Sequence, residues 1–338
     1  MKRFINLFLL NLIASCSVLF ANNNIFTNAK IAIQLIEKND IQFIAAEESE
    51  KLIRGSKVVN INLLSSVTVL GQMPCTPFYS CPKQVEKYFS SLGIVQNKSL
   101  ILYDNSYGVY ASTLYTLLES LGHKNITIVD GGIKAVEKLD PNQKLYDKYQ
   151  NELNAFETLM REDNSTISKE KSESIKHSLV KKIDMLKPHL LIEENLQALV
   201  KEKSAYAIKE HNIKYLLSTK ELQNIVKKVQ STENNITIID ACPMIDIVGN
   251  KYGSYLSGVK SFSWKMLINQ KENKLKSKEL LEKAFTKIAL KKDEYNYIYC
   301  MSESSKALFM MLVMRELGYT KVKAYIGDWN VWTGEGHE

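Results

Sequence analysis

The chain repeats its own pattern. Met314-Arg315-Glu316-Leu317-Gly318-Tyr319 leads into the apolar run Val322 to Ile326 and then Gly327-Asp328-Trp329. Earlier, Leu118-Glu119-Ser120-Leu121-Gly122-His123 leads into Ile126 to Val129 and then Asp130-Gly131-Gly132. Both read as helix end, turn, strand and glycine turn, and Leu317 and Leu121 stand 317 − 121 = 196 positions apart. A second pair, Ile238-Ile239-Asp240-Ala241-Cys242 against Phe43-Ile44-Ala45-Ala46-Glu47, lies at an offset of 195. An internal duplication governs the fold expected. Two copies are too few for a solenoid; they predict two homologous α/β domains.

The offset of 196 pairs Cys300 with Asp104. Each follows an apolar, aromatic run (Tyr297 to Tyr299; Leu100 to Tyr103) and precedes a helix-like segment (Ala307 to Leu317; Ala111 to Leu121). A strand that delivers a cysteine into a loop ahead of a helix favours a thiolate, because loop amides and the helix N-terminus stabilise negative charge. Met301-Ser302-Glu303-Ser304-Ser305-Lys306 would form that loop. Its serines offer hydroxyl donors and Lys306 a cation. An aspartate cannot serve as a thiolate, so only the second copy can carry cysteine chemistry. The plainer alternative makes Cys300 a small buried hydrophobe.

The pattern resembles the tandem rhodanese family, the thiosulfate and 3-mercaptopyruvate sulfurtransferases. In the second half the resemblance rests on Ile238-Ile239-Asp240-Ala241, on Tyr252 to Trp264 around Gly258-Val259, on Tyr299-Cys300-Met301-Ser302, and on Gly327-Asp328-Trp329-Asn330-Val331-Trp332. In the first half it rests on Gly55 to Asn60, Leu92-Gly93-Ile94, Leu100 to Asp104, Leu121-Gly122-His123 and Asp130-Gly131-Gly132. The resemblance implies two rhodanese-like domains, each a parallel sheet flanked by helices, with aspartate in the first where the second has its catalytic cysteine. It implies Cys300 as nucleophile and Met301, Ser302, Glu303, Ser304, Ser305 and Lys306 as a substrate-binding cradle of inward amides. The reaction implied moves sulfane sulfur from thiosulfate or 3-mercaptopyruvate, through a Cys300 persulfide, to a thiol or cyanide. Its partners would be a small anionic sulfur donor and a thiol acceptor, and no cofactor is implied.

Two departures from the family pattern stand at the site. Glu303 holds a position where glycine is common, and Cys242 follows Asp240-Ala241 where arginine usually helps to bind the anion. Lys251 and Lys260 are nearby cations. In the family's sheet order the strand before Cys242 neighbours the strand before Cys300. Parallel neighbours lie about 4.8 Å apart, so two cysteines at adjacent ends reach disulfide range. Cys242 is therefore expected as a resolving thiol for a persulfide or sulfenate on Cys300, against the alternative of a buried apolar cysteine.

The 338 residues have room for two domains and a linker. The expected organisation is a signal peptide at 1–21, a first domain at 22–140, a charged helical insertion at 141–203 and a second domain at 204–338. Met1-Lys2-Arg3, the apolar Phe4 to Phe20 and Ala21 follow the order of a secretory signal. Ile13-Ala14-Ser15-Cys16 also fits a lipoprotein box, which would attach the protein to a membrane through Cys16. Either cleavage places the domains outside the cytoplasm, in a periplasm or its equivalent. There, Cys75 and Cys81, bracketing a turn-rich loop, are expected to pair. No Cys-x-x-Cys or His-x-x-x-His spacing implies zinc.

The net charge of +7 comes from lysines scattered without interleaved aromatics. That argues for a solvated surface with mild attraction for small anions, and against nucleic acid. Between Leu139 and Lys203, apolar residues recur at three- and four-residue steps (Leu153, Phe156, Leu159, Met160; Leu191, Leu196, Leu199, Val200). This predicts two or three amphipathic helices around a flexible break near Asp163 to Ser174, acting as a spacer or as a surface for a protein partner. His123, after a helix-end glycine, is expected as a surface cap. The competing functions are a non-catalytic sulfur-binding scaffold, a thiol oxidoreductase using Cys242 and Cys300, and a cysteine phosphatase. For the last, Cys300 and Lys306 have the right separation, but lysine cannot grip phosphate bidentately.

Overall fold

The computed structural model describes residues 24–63, 81–161, 168–195, 204–230, 235–242 and 259–327. The first domain runs β1 (Phe26–Asn28), α1 (Ala29–Ala32), β2 (Ile41–Ala45), β3 (Lys51–Ile53), β4 (Lys57–Val58), α2 (Pro82–Ser91), β5 (Ser99–Tyr103), α3 (Val109–Ser120), β6 (Ile126–Asp130) and α4 (Gly132–Leu139). The connecting segment holds α5 (Gln143–Arg161), α6 (Lys169–Leu186) and β7 (Ile192–Glu194). The second domain runs β8 (Leu216–Leu217), α7 (Thr219–Gln230), β9 (Ile236–Asp240), β10 (Val259–Ser261), the hairpin β11 (Ile268–Asn269) and β12 (Lys274–Leu275), α8 (Lys278–Lys287), β13 (Tyr295–Tyr299), α9 (Ser304–Glu316) and β14 (Val322–Tyr325).

The duplication is real in three dimensions. One sheet has the order β4-β2-β5-β6-β1 and the other β10-β9-β13-β14-β8, all pairs parallel. Strands such as Leu100 to Tyr103, buried along their length, have the continuous apolar character that a parallel sheet covered on both faces demands. The two domains meet through α3 and α9, the equivalent helices. Every residue of α9 from Ala307 to Met314 is buried, as is nearly all of α3, so neither helix shows a polar face to water. Phe309 on α9 makes edge-on ring contacts with Phe26 and with Trp264. At the far end of the two helices Arg315 donates two hydrogen bonds, each 2.7 Å, to Glu119, its own counterpart at the offset of 196.

A second bridge between domains carries a testable charge. The Leu275 amide of the β11–β12 hairpin donates to Asp130 Oδ1 at 2.7 Å, and Asn273 Nδ2 donates to the Gly131 carbonyl at 3.0 Å. Burial pushes the Asp130 carboxyl up to about 6, against the pull of the Leu275 amide and Lys274. Below the ordinary value of 3.8 the group is neutral folded or unfolded. As pH rises through about 6 the native state must bury a charge that the unfolded chain leaves in water, so stability falls. The loss is roughly 3 kcal/mol at most between about pH 4 and about pH 7. Asp130→Asn is expected to remove that component. In urea titrations at both pH values, an equal pH dependence of variant and parent would refute it.

The connecting segment differs from the expectation in two places. α5 and α6 pair around Leu153, Leu179 and Ile183, as amphipathic helices should. However, residues 169–174 belong to α6 rather than to a flexible break, with Ser168 capping the helix by accepting from the Lys171 amide. Leu191 leads into a strand, not a helix: β7 pairs antiparallel with β3 of the first domain. The three- and four-residue spacing there was too short to outweigh a partner strand with open backbone groups. Residues 162–167 and 196–203 lie outside the described residues, as does 1–23 with the signal segment and Cys16. His123 is buried rather than a surface cap; its Nε2 lies 2.8 Å from the Lys98 carbonyl, and burial lowers its pKa.

Candidate active site

Cys300 directly follows β13 and Cys242 follows β9 by one residue more. These strands are neighbours, with Tyr299 beside Asp240. The Asp240 carboxylate accepts the Cys242 amide at 2.9 Å and the Tyr299 hydroxyl at 3.3 Å, so it fixes both strand ends. Cys242 and Cys300 are joined by a disulfide, with Cα atoms 5.1 Å apart. Cys242 is fully buried, while Cys300 keeps 5% of its surface exposed. Ser302 Oγ lies 3.4 Å from Cys300 Sγ and 3.7 Å from Cys242 Sγ, and Lys306 Nζ donates to Ser302 Oγ at 3.2 Å.

The other loop residues divide. Glu303 turns its carboxylate to Lys306, 3.5 Å away, and toward Tyr110 of the first domain. Burial, then the Glu303 charge, push the Tyr110 hydroxyl up. Ser304 opens α9 and Ser305 is buried within its first turn. The Met301 side chain packs on the apolar cluster of Leu217, Tyr299 and Tyr325. Lys260 does not replace the absent arginine, because its Nζ donates to the Ala289 carbonyl at 2.8 Å. Lys251 and Cys75 lie outside the described residues, and Cys81 immediately precedes α2.

The expected cradle of amides is found in the first domain, not around Cys300. Asp104 Oδ1 accepts the amides of Ser106 and Gly108, each at 2.8 Å, and Oδ2 accepts that of Ala111 at 2.9 Å. The Tyr110 amide adds a further bond. Burial pushes this carboxyl up, while all four amides favour the anion. Such wrapping needs left-handed backbone, supplied by Tyr107 (φ 65°) and Gly108 (φ 89°). At the matching register Glu303 is extended, with φ −167° and ψ 114°, and caps nothing with its side chain. Among the described residues no main-chain amide is directed at Cys300 Sγ, whose partners are Cys242 and Ser302. Its sulfur is tied to the neighbouring strand, and the loop behind it is not wound as the Asp104 loop is.

The duplication thus sets two cysteines against two carboxylates, since Glu47 is the counterpart of Cys242. Burial raises the Glu47 carboxyl, the Asn105 amide donates to it at 2.5 Å, and the Asp104 charge adds to the rise. Sequence reasoning passed over Asp240, Tyr299 and Tyr110. A signal existed for Tyr110, which stands 196 positions before Lys306 in the facing loop.

Two parallel five-stranded sheets in one order, each with a loop and a helix behind its central strand, define the tandem rhodanese fold. Residues 28–139 match the family described as the rhodanese-like domain. SseA of Escherichia coli, described as a 3-mercaptopyruvate sulfotransferase, superposes with a TM-score of 0.61 at 19% identity, over 90% of this chain and 99% of its own. Tum1 of Saccharomyces cerevisiae gives 0.61 at 14% identity, over 92% and 95%. The 3-mercaptopyruvate sulfurtransferase of Leishmania major gives 0.59 at 11%, over 92% and 74%. At these identities the likeness establishes the fold. No curated protein matches the sequence.

Proposed function

We propose that this protein is a sulfurtransferase in which reduced Cys300 takes sulfane sulfur from a small anionic donor, thiosulfate or 3-mercaptopyruvate, and passes it to a thiol or cyanide. With thiosulfate, the Cys300 thiolate attacks the outer sulfur, the S–S bond of the donor breaks, sulfite leaves, and Cys300 carries the terminal sulfur as an anion. The observation that carries the reading is the Asp104 cradle. It displays what this loop binds in this chain, an anion at the end of the central strand, and Cys300 occupies the same register. No side chain caps the start of α9, where the Lys306 amide donates to the Glu303 carbonyl, and Ser302, held by Lys306, is already at the sulfur. Winding the loop as at Tyr107 and Gly108 would put Glu303 and Ser304 in left-handed backbone, at about 1–2 kcal/mol per residue.

The test is intact mass after reduction and exposure to each donor: a gain of one sulfur on Cys300 supports the reading, and no gain from either donor rejects it. The Cys242–Cys300 disulfide favours a second reading, a thiol oxidoreductase, which predicts thiol–disulfide exchange without sulfur uptake. Both readings fit export to an oxidising compartment, where such a bond persists.

A further inference from the structure

The disulfide joins residues placed by adjacent strands whose ends Asp240 and Tyr299 hold together. The register of these strands sets beside Cys300 the one kind of side chain that can bond to it covalently. We infer that Cys242 is the resolving thiol of a Cys300 persulfide, so that the donor's sulfur leaves as hydrosulfide and a dithiol reductant completes the cycle. The inference rests on the sulfurtransferase reading above and names an internal thiol as what reduces and releases the sulfur.

The steps balance. The Cys242 sulfur attacks Cys300 Sγ, and the Cys242–Cys300 bond forms. The bond from Cys300 to the transferred sulfur breaks, and that sulfur departs with the Cys242 proton as HS⁻. Geometry favours this over an outside thiol: the two Cα atoms are 5.1 Å apart, and a thiol fixed at that range acts at a high effective concentration. Ser302 lies within reach of both sulfurs and accepts from Lys306, so its hydroxyl can be given to whichever sulfur bears charge. The disulfide is then returned to two thiols by a dithiol, which is itself oxidised. Its first sulfur attacks Cys300, the more accessible partner, and Cys242 leaves as thiolate beneath Ser302. Its second sulfur releases Cys300.

The experiment is a single turnover without oxygen. Full-length protein is reduced, freed of reductant and given thiosulfate with no acceptor thiol; sulfide is assayed and intact mass measured. The parent protein is expected to release one sulfide per chain and to end two hydrogens lighter than the reduced form, with Cys242 and Cys300 in one cross-linked peptide. Cys242→Ser, with Cys242→Ala as a second variant at this buried position, is expected to end one sulfur heavier and to release no sulfide. A parent that keeps its sulfur and releases none, or variants that release sulfide as fast as the parent, overturns the inference while the sulfurtransferase reading stands. If parent and variants alike neither gain sulfur nor release sulfide, the sulfurtransferase reading itself fails. The parent arm decides the matter even if a variant does not fold.

Discussion

Cys300→Ser is expected to end sulfur uptake altogether, with transfer from thiosulfate or 3-mercaptopyruvate falling by on the order of 10³-fold or more, the scale seen when a nucleophile is removed. Among the described residues no other cysteine can take over: Cys242 is fully buried behind Cys300, and Cys81, before α2 of the other domain, is itself disulfide-bonded. The same variant has a second readout, because it also deletes a cross-link that closes 58 residues of chain. Under non-reducing conditions it should be less stable than the parent by about 4 kcal/mol on the loop-entropy scale. With a reductant present that difference should shrink toward zero, since both proteins then lack the bond. Sulfur uptake undiminished in the variant would show that Cys300 is not the acceptor. A stability loss that persisted under reduction would show that Cys300 acts mainly by packing.

Asp104→Ala is expected to be the most damaging substitution in the first domain, although it removes no chemistry. Asp104 is nearly inaccessible and accepts the amides of Ser106, Gly108 and Ala111, so alanine leaves these donors buried without an acceptor. Each such loss costs about 1–3 kcal/mol, and a total of about 3–5 kcal/mol is expected after partial relaxation. The backbone has little freedom to compensate. Gly132, with φ +57°, packs so closely on the Asp104 carbonyl that even a Cβ there would collide with it. The loop also abuts the interface, where Tyr110 faces Glu303 and Tyr107 lies against the Trp264 ring. The midpoint and slope of a urea transition would measure the effect. A change below about 1 kcal/mol would mean that water enters the loop and that the cradle is not structural.

Much of the architecture was legible because the duplication is written in apolar spacing. The runs before Asp104 and Cys300 are the central strands of the two sheets, and the segments behind them are the two interface helices. The neighbourhood of Cys242 and Cys300 followed from the strand order that the rhodanese resemblance implies, and the register of β9 with β13 places them together. Other features were not legible. β7 is a strand because β3 offers it partners, and nothing local to Ile192–Glu194 announces this. Met301 turns to the Tyr299 and Tyr325 cluster because its side chain is apolar and that cluster lies beside it. Lys260, charged and close in sequence to the site, is drawn to the Ala289 carbonyl instead.

By itself, the sequence determined that there are two α/β copies, that one carries Asp104 and the other Cys300, and that a thiol in the second could have no chemical equivalent in the first. Residue identity and periodicity suffice for that, since they set which groups can bury and which can react. Only the tertiary structure decided which loop is wound. Tyr107 and Gly108 adopt left-handed backbone around a carboxylate that rewards four amides for converging, whereas Cys300 is bonded to Cys242 and Glu303 behind it is extended. The two loops differ in what their central residue meets, an amide cradle in one and a covalent partner 58 residues away in the other, and local sequence preference has no means of expressing such a partner.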